Sequence, residues 1–189
     1  MAFDHFSWLA PFYDRIFDSE GRAQLYKLLD LPARGRLLDA GGGTGRIAAS
    51  MQGQASQLVV TDLSAGMLQQ AAQKQCLNPL QTHVEHLPFP NSSFERIVVV
   101  DAFHHFCNQR KSAAELWRVL VPGGRLVIEE PNIETWTVKM LAVAEKVALM
   151  RSHFYGPEAI KAMYQTIAPH ATIAVHRDKE YTAWVVVQK

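Results

Sequence analysis

The residues best suited to chemistry in this chain are an apolar run that breaks into alternating glycines, Leu37-Leu38-Asp39-Ala40-Gly41-Gly42-Gly43-Thr44-Gly45. Glycine reaches positive φ and admits a ligand where a Cβ would collide, so Gly41, Gly43 and Gly45 imply a tight strand-to-helix turn beneath a bound molecule. The next short apolar run, Leu58-Val59-Val60-Thr61, closes on Asp62. A carboxylate at that place accepts ribose hydroxyl hydrogens in nucleotide-binding α/β units, and together the two stretches read as a nucleoside-cofactor site. The glycine spacing opposes a dinucleotide, because a G-x-G-x-x-G fingerprint opened at Gly41 and Gly43 needs its third glycine where Arg46 stands. Farther along, Asp101, His104 and His105 follow a third apolar run, at the end where open α/β sheets bind ligands. A histidine there could take a proton from a hydroxyl or an acidic carbon, or serve packing and loop geometry alone.

The elements that must position these groups alternate along the chain. Residues 20–31 carry Leu25, Leu28, Leu29 and Leu31 on one helical face, and Pro32-Ala33-Arg34-Gly35 ends that helix before a strand at 36–40. Ser64 is the expected N-cap of a helix through about Lys74, which Asn78-Pro79 forbids from continuing. A short strand near 80–84, a strand at 96–100, a helix at 110–120 and a strand at 125–130 follow. Glu158 to Thr166 reads as a helix, and 171–177 with 181–188 alternate as a final hairpin. Strands separated by helices pair in parallel, because each crossover returns the chain to the same sheet.

Composition narrows the function classes. A chain of 189 residues that is 48% hydrophobic is long enough for one domain with a full core. Net charge is +1 without a basic block, so nucleic acid is not an expected partner. The start of the chain lacks a signal-peptide pattern, and no apolar run is long enough to cross a bilayer, so a cytoplasmic protein is expected. Cys76 and Cys107 stand alone, which supports neither a disulfide framework nor a metal site.

The pattern D-x-G-x-G-x-G over Asp39 to Gly45, followed by Asp62, resembles the class I S-adenosylmethionine (SAM)-dependent methyltransferases. Leu87-Pro88-Phe89-Pro90 with Ser93-Phe94-Glu95, the loop Asp101-Ala102-Phe103-His104-His105-Phe106, and the turn Pro122-Gly123-Gly124 are similar to the small-molecule branch of that family, and occur in its order over residues 35–130. Pro11-Phe12-Tyr13-Asp14 resembles the opening of quinone-biosynthesis C-methyltransferases.

The resemblance implies a Rossmann-like α/β fold: a seven-stranded sheet, mostly parallel, with an antiparallel C-terminal edge hairpin. It forms a single domain over 1–189, with an N-terminal helical cap (1–34) and an acceptor-side insertion (131–156). It implies SAM as cofactor, S-adenosylhomocysteine as product, and a small, partly apolar acceptor. In that reading the turn at Gly41, Gly43 and Gly45 carries the methionine part, Asp39 steers its ammonium group, and Asp101 borders the same end. Asp62 takes the ribose, with Leu63 beside it. Met67 and Leu87 flank the adenine, although Met67 also suits the core face of its helix. Tyr13 closes the site if the N-terminal segment folds over it.

One position departs from the family: His83 stands where an acidic residue usually meets the adenine amino group. Either a neutral His83 accepts that hydrogen bond, or the Val84 amide and the Glu85 carboxylate take over. Trp136, Met140, Val143, Ala144 and Val147 share a face of a helix that covers core, an acceptor pocket, a second subunit or a membrane surface, so a homodimer stays open. The alternative function is a methyltransferase-like SAM-binding protein without turnover.

Overall fold

The computed structural model describes residues 21–133, 153–178 and 182–189, so the motif around Tyr13 and the helical face from Trp136 to Val147 lie outside the described residues. Helix α1 (Gly21–Leu29) turns Leu25, Leu28 and Leu29 into the core, as their spacing requires. Its last carbonyls are held by arginines of the sheet: Arg96 Nε donates to Leu29 O at 2.6 Å and Arg125 Nη1 to Leu28 O at 3.2 Å. Cations at a helix C-terminus satisfy carbonyls that have no intrahelical donor.

The sheet is built from β1 (Arg36–Ala40), β2 (Gln57–Asp62), β3 (Leu77–Gln81), β4 (Phe94–Val100), β5 (Leu120–Pro131), β6 (Thr172–Arg177) and β7 (Thr182–Gln188). Between them run α2 (Arg46–Ser50), α3 (Ala65–Ala71), α4 (Gln109–Val119) and α5 (Pro157–Ile167). The spatial order is β3-β2-β1-β4-β5-β7-β6. The first five strands pair in parallel, while β7 runs antiparallel between β5 and β6. This is the mostly parallel seven-stranded sheet with a C-terminal hairpin that the resemblance implies, and the hairpin's second strand, not its first, lies beside β5.

Burial follows the order of the strands. Central β1 and β4 are buried on both faces and read as continuous apolar runs, whereas edge strands β3 and β6 are largely exposed. Alternate residues send their side chains to opposite layers. Leu38, Ile97 and Ile128 meet α4 and α5 through Leu116, Ile160 and Tyr164; Leu37, Val98 and Val127 meet α1.

Three boundaries differ from expectation. The strand placed near 80–84 is β3 at Leu77–Gln81, so Asn78-Pro79 lies inside it. Proline lacks an N–H for a ladder, yet an edge strand needs none on its outer side. Helix α3 stops at Ala71, short of Lys74, and the chain turns through Cys76 at a φ of 65° to reach that edge. The turn at Pro122-Gly123-Gly124 sits within β5 as an irregularity: the pairing of β4 with β5 jumps from Phe94↔Leu120 to Arg96↔Arg125. Strand order reverses between β1 and β4, and a crevice at such a reversal, outside the carboxyl ends of the strands, is where open α/β sheets take ligands.

Candidate active site

The turn leaving β1 is tied to β2, since Gly41 N and Gly42 N both donate to Thr61 O, at 2.7 and 3.1 Å. Gly41, Gly43 and Gly45 all have positive φ, at 74°, 54° and 71°. Their surroundings separate their roles. A Cβ at Gly41 would stand 2.7 Å from Ala102 Cβ, and one at Gly45 would stand 2.6 Å from Leu77 Cδ1. A Cβ at Gly43 would meet nothing closer than Met67 Sδ at 3.9 Å and Asp62 Oδ2 at 4.0 Å. Two glycines therefore let protein pack against the turn, and the third opens it.

Asp39 lies beneath this turn, 1% exposed, and accepts from Ala48 N at 3.2 Å. A Cβ at Gly42 would strike its carboxylate at 2.5 Å. Burial pushes the Asp39 carboxyl up to about 7; the Ala48 amide and Arg46 oppose the rise, and Asp62 adds to it. Asp39 thus anchors the loop from beneath through Ala48.

Asp62 is half-buried and oriented by two backbone donors, Gly43 N to Oδ2 at 2.9 Å and Ser64 N to Oδ1 at 2.8 Å. Ser64 caps α3 as its type requires, its hydroxyl accepting from Met67 N at 3.3 Å. Met67 is buried on the core face of α3, and its Sδ also reaches the open side of Gly43. Leu63, 49% exposed, is one of few large apolar side chains left in water among the described residues.

On the other wall, Val84 and Leu87 are buried and His83 is exposed. Glu85 Oε1 accepts from Asn108 N at 2.6 Å, a bond that turns this carboxylate to the loop before α4. Leu87 N donates to Glu115 Oε2 at 3.0 Å, and Arg118 joins Glu115 to the carbonyls of Leu87 and Phe89. Arg118 holds the Glu115 carboxyl below the usual range, and this network fixes the segment around Leu87 on α4.

The ends of β4 and β5 form the third wall. Asp101, at a φ of 49°, donates its N–H to Glu129 O at 3.0 Å. The buried Glu130 carboxylate collects three groups: Oε1 accepts from Ala102 N at 3.1 Å and Phe103 N at 2.8 Å, and Oε2 lies 2.5 Å from His104 Nδ1. The His104 ring stacks on Phe154 at 4.3 Å with a 14° tilt and lies 4.0 Å from the His105 ring. His104 is buried and His105 half-buried. Burial first, then the charge of His104, pushes the His105 imidazole down to about 3, so that ring is neutral near neutral pH. Gln109 Nε2 donates to Phe103 O and His153 O, which ties residues 153–155 to the same turn. Tyr155 and His153 border a cavity of about 490 Å³ between this turn and α5.

Sequence reasoning passed over Glu129, Glu130, Trp184 and Arg46. Glu129 Oε2 accepts from Trp184 Nε1 at 2.6 Å. Burial pushes the Glu129 carboxyl up to about 7, with Asp101 raising it further and Arg46 opposing. Their signal was visible: two adjacent carboxylates closing an apolar strand in a central position belong at the ligand-binding end. Among the described residues no three His, Cys, Asp or Glu side chains gather as metal ligands. No helix among them is long and apolar enough to cross a membrane.

Residues 38–128 match the family described as Methyltransferase domain. The ubiquinone/menaquinone biosynthesis C-methyltransferase UbiE of Serratia proteamaculans is 32% identical over 147 residues, 69% of this chain and 59% of that protein. The demethylmenaquinone methyltransferase of Deinococcus radiodurans is 37% identical over 102 residues, 50% of this chain and 42% of that protein. The chain thus spans about three fifths, or less, of these relatives' length. A SAM-dependent methyltransferase of Thermotoga maritima shares the fold, with a TM-score of 0.78 at 17% identity, covering 97% of each chain. From Leu38 to Ile128 the chain thus carries the family's methyltransferase domain, on a fold shared with a SAM-dependent methyltransferase.

Proposed function

We propose that this chain binds SAM at the crevice between β1 and β4 and methylates a small, apolar, hydroxylated ring compound of the quinol type. The observation that carries the cofactor half is the cradle at Gly43. It is the one turn glycine whose missing Cβ faces open space, and that space is bounded by Asp62 and Met67. Backbone donors from Gly43 and Ser64 orient the Asp62 carboxylate at the end of β2, the position from which a carboxylate takes ribose hydroxyls. Leu63, Met67 and Leu87 supply apolar surface for a purine, and exposed Leu63 gains most from being covered. With the Glu85 carboxylate on Asn108, the Val84 amide and His83 are left to meet the adenine edge. Asp101 brings negative charge toward the methionine end, and Asp39 acts there through the loop it anchors.

When bound, SAM supplies a methyl carbon already made electrophilic by its sulfonium. The chain's own task is alignment and exclusion of water. With SAM held there, the acceptor's nucleophilic atom would take the methyl group and the electron pair of the broken carbon–sulfur bond would stay on sulfur. The acceptor's proton passes to a base, the role assigned to His104 or His105. The quinol-type acceptor rests on the relatives' activities and on the Phe154 ring stacked on His104 in the turn after β4.

Calorimetric titration with SAM, S-adenosylhomocysteine and NAD tests the cofactor. Saturable binding of the first two and none of the third is expected, and the reverse would overturn the assignment. A labelled-methyl assay with 1,4-naphthohydroquinone then separates turnover from binding alone.

A further inference from the structure

We propose that Glu130 is a positioning residue of the acceptor half: it holds the turn after β4 and fixes His104 with its ring proton on Nδ1. The inference rests on the methyltransferase reading and adds to it a residue outside the family's glycine and acidic motifs. Glu130 ends β5 on the face opposite Glu129, since successive strand residues point to opposite sides. Its carboxylate is 5% exposed, and a buried carboxylate persists only where donors converge on it. Two of those donors are backbone amides, Ala102 N and Phe103 N, both on Oε1, which leaves Oε2 for His104 at 2.5 Å.

The arrangement has a direction. An ionised carboxylate only accepts, so the nitrogen facing it carries a proton, and in the neutral ring Nε2 is then the basic nitrogen. A carboxylate at this place also stabilises the imidazolium that proton uptake creates, as an orienting acid does for a histidine base. His104 has that carboxylate partner in Glu130, while His105 is held neutral. The same carboxylate reaches the cofactor side. The turn it fixes presents Ala102 and Phe106 to Gly41, where an added Cβ would stand 2.7 Å from Ala102 Cβ and 3.1 Å from Phe106 Cε1. One side chain therefore ties the proton acceptor to the cofactor turn.

The variant E130Q separates this role from scaffolding. Its amide oxygen can keep the two backbone donors, and its NH2 group then faces Nδ1, which drives the ring proton to Nε2. Histidine-15N correlation spectra of the wild type should show His104 with its proton on Nδ1, and E130Q should move that proton to Nε2. Transfer of labelled methyl to 1,4-naphthohydroquinone should fall at least about tenfold in kcat, with SAM affinity within about twofold, and E130D should regain part of the loss.

A wild-type proton on Nε2, or an unchanged kcat in a folded E130Q, overturns the proposal. Should E130Q fail to fold, the wild-type spectrum decides alone. Wild-type protein that binds no SAM refutes the methyltransferase reading itself. Protein that binds SAM with the wrong His104 tautomer refutes only the role of Glu130. Protein that binds SAM but leaves the probe unmethylated refutes the quinol-type acceptor, and the tautomer then decides.

Discussion

The two halves of the crevice are assembled in different ways. Around its glycine turn the cofactor half is nearly local: Asp39 bonds Ala48, Asp62 bonds Ser64, and Gly43 reaches Asp62 at the end of the neighbouring parallel strand. The acceptor half is stitched from distant parts of the chain, with His104 on Glu130, Gln109 on His153 and Trp184 on Glu129. The cofactor half can be written in a short motif because one strand-turn-helix unit carries most of it. The acceptor half depends on which strand ends lie side by side, and on which face each residue takes.

The largest expected effect lies where the local half touches its ligand. D62A removes a carboxylate held by two backbone amides and should weaken SAM binding at least about a hundredfold by calorimetry, as the loss of charge-assisted hydrogen bonds implies. Circular dichroism should show the fold retained, and near-normal affinity would overturn the ribose assignment. Next come the glycines. G45A forces a side chain into left-handed backbone and against Leu77 and Ala71, so it should cost about 1–3 kcal/mol in denaturant unfolding. G43A pays a comparable backbone penalty of about 1 kcal/mol but meets no protein atom closely, so it should act mainly on SAM affinity. Equal effects of both variants on stability and on binding would erase the distinction between packing and opening.

The strength of the local signal decides what was legible. Asp39 to Gly45, Asp62 and the Ser64 cap fall in the expected elements because glycine, capping serine and strand-ending carboxylate act within a few residues of themselves. Leu77–Gln81 escaped, since Pro79 argues against a strand until the strand is known to be an edge. Leu120–Pro131 was shortened because Pro122-Gly123-Gly124 reads as a stop, while the sheet absorbs it as an irregularity. His104 and His105 could be placed at the ligand end but not told apart. Their difference comes from Glu130 and Phe154, which only the folded chain brings to one ring. Glu85 reads from the sequence as a candidate for the adenine edge, yet its bond to Asn108 belongs to a contact between β3's exit and the start of α4.

One residue in each half, Asp39 and His105, should also answer pH in opposite directions. Asp39 holds its proton to about 7 when folded, against 3.8 ordinarily, because of burial. Between those values the folded chain binds the extra proton, so stability should fall as pH rises through that window. D39N removes the charge while its amide oxygen can still accept from Ala48, so it should flatten the fall by about 1–3 kcal/mol between about pH 4 and pH 7 in urea titrations. Glu129 shifts in the same sense, which is why the variant and not the wild type alone isolates Asp39.

His105 supplies the smallest effect and the reverse sign. Folded, its ring stays neutral down to about 3, chiefly through burial and secondly through His104; its ordinary value is 6.5. Between those values the unfolded chain carries the extra proton, so the stability contributed by a neutral ring is complete above 6.5 and drains away as pH falls. H105N takes up no proton in either state. From about pH 7 to about pH 4.5 the wild type should therefore lose about 1–2 kcal/mol more than the variant, a figure kept low because the ring is only half-buried. Parallel losses in the two proteins would return His105 to solvent.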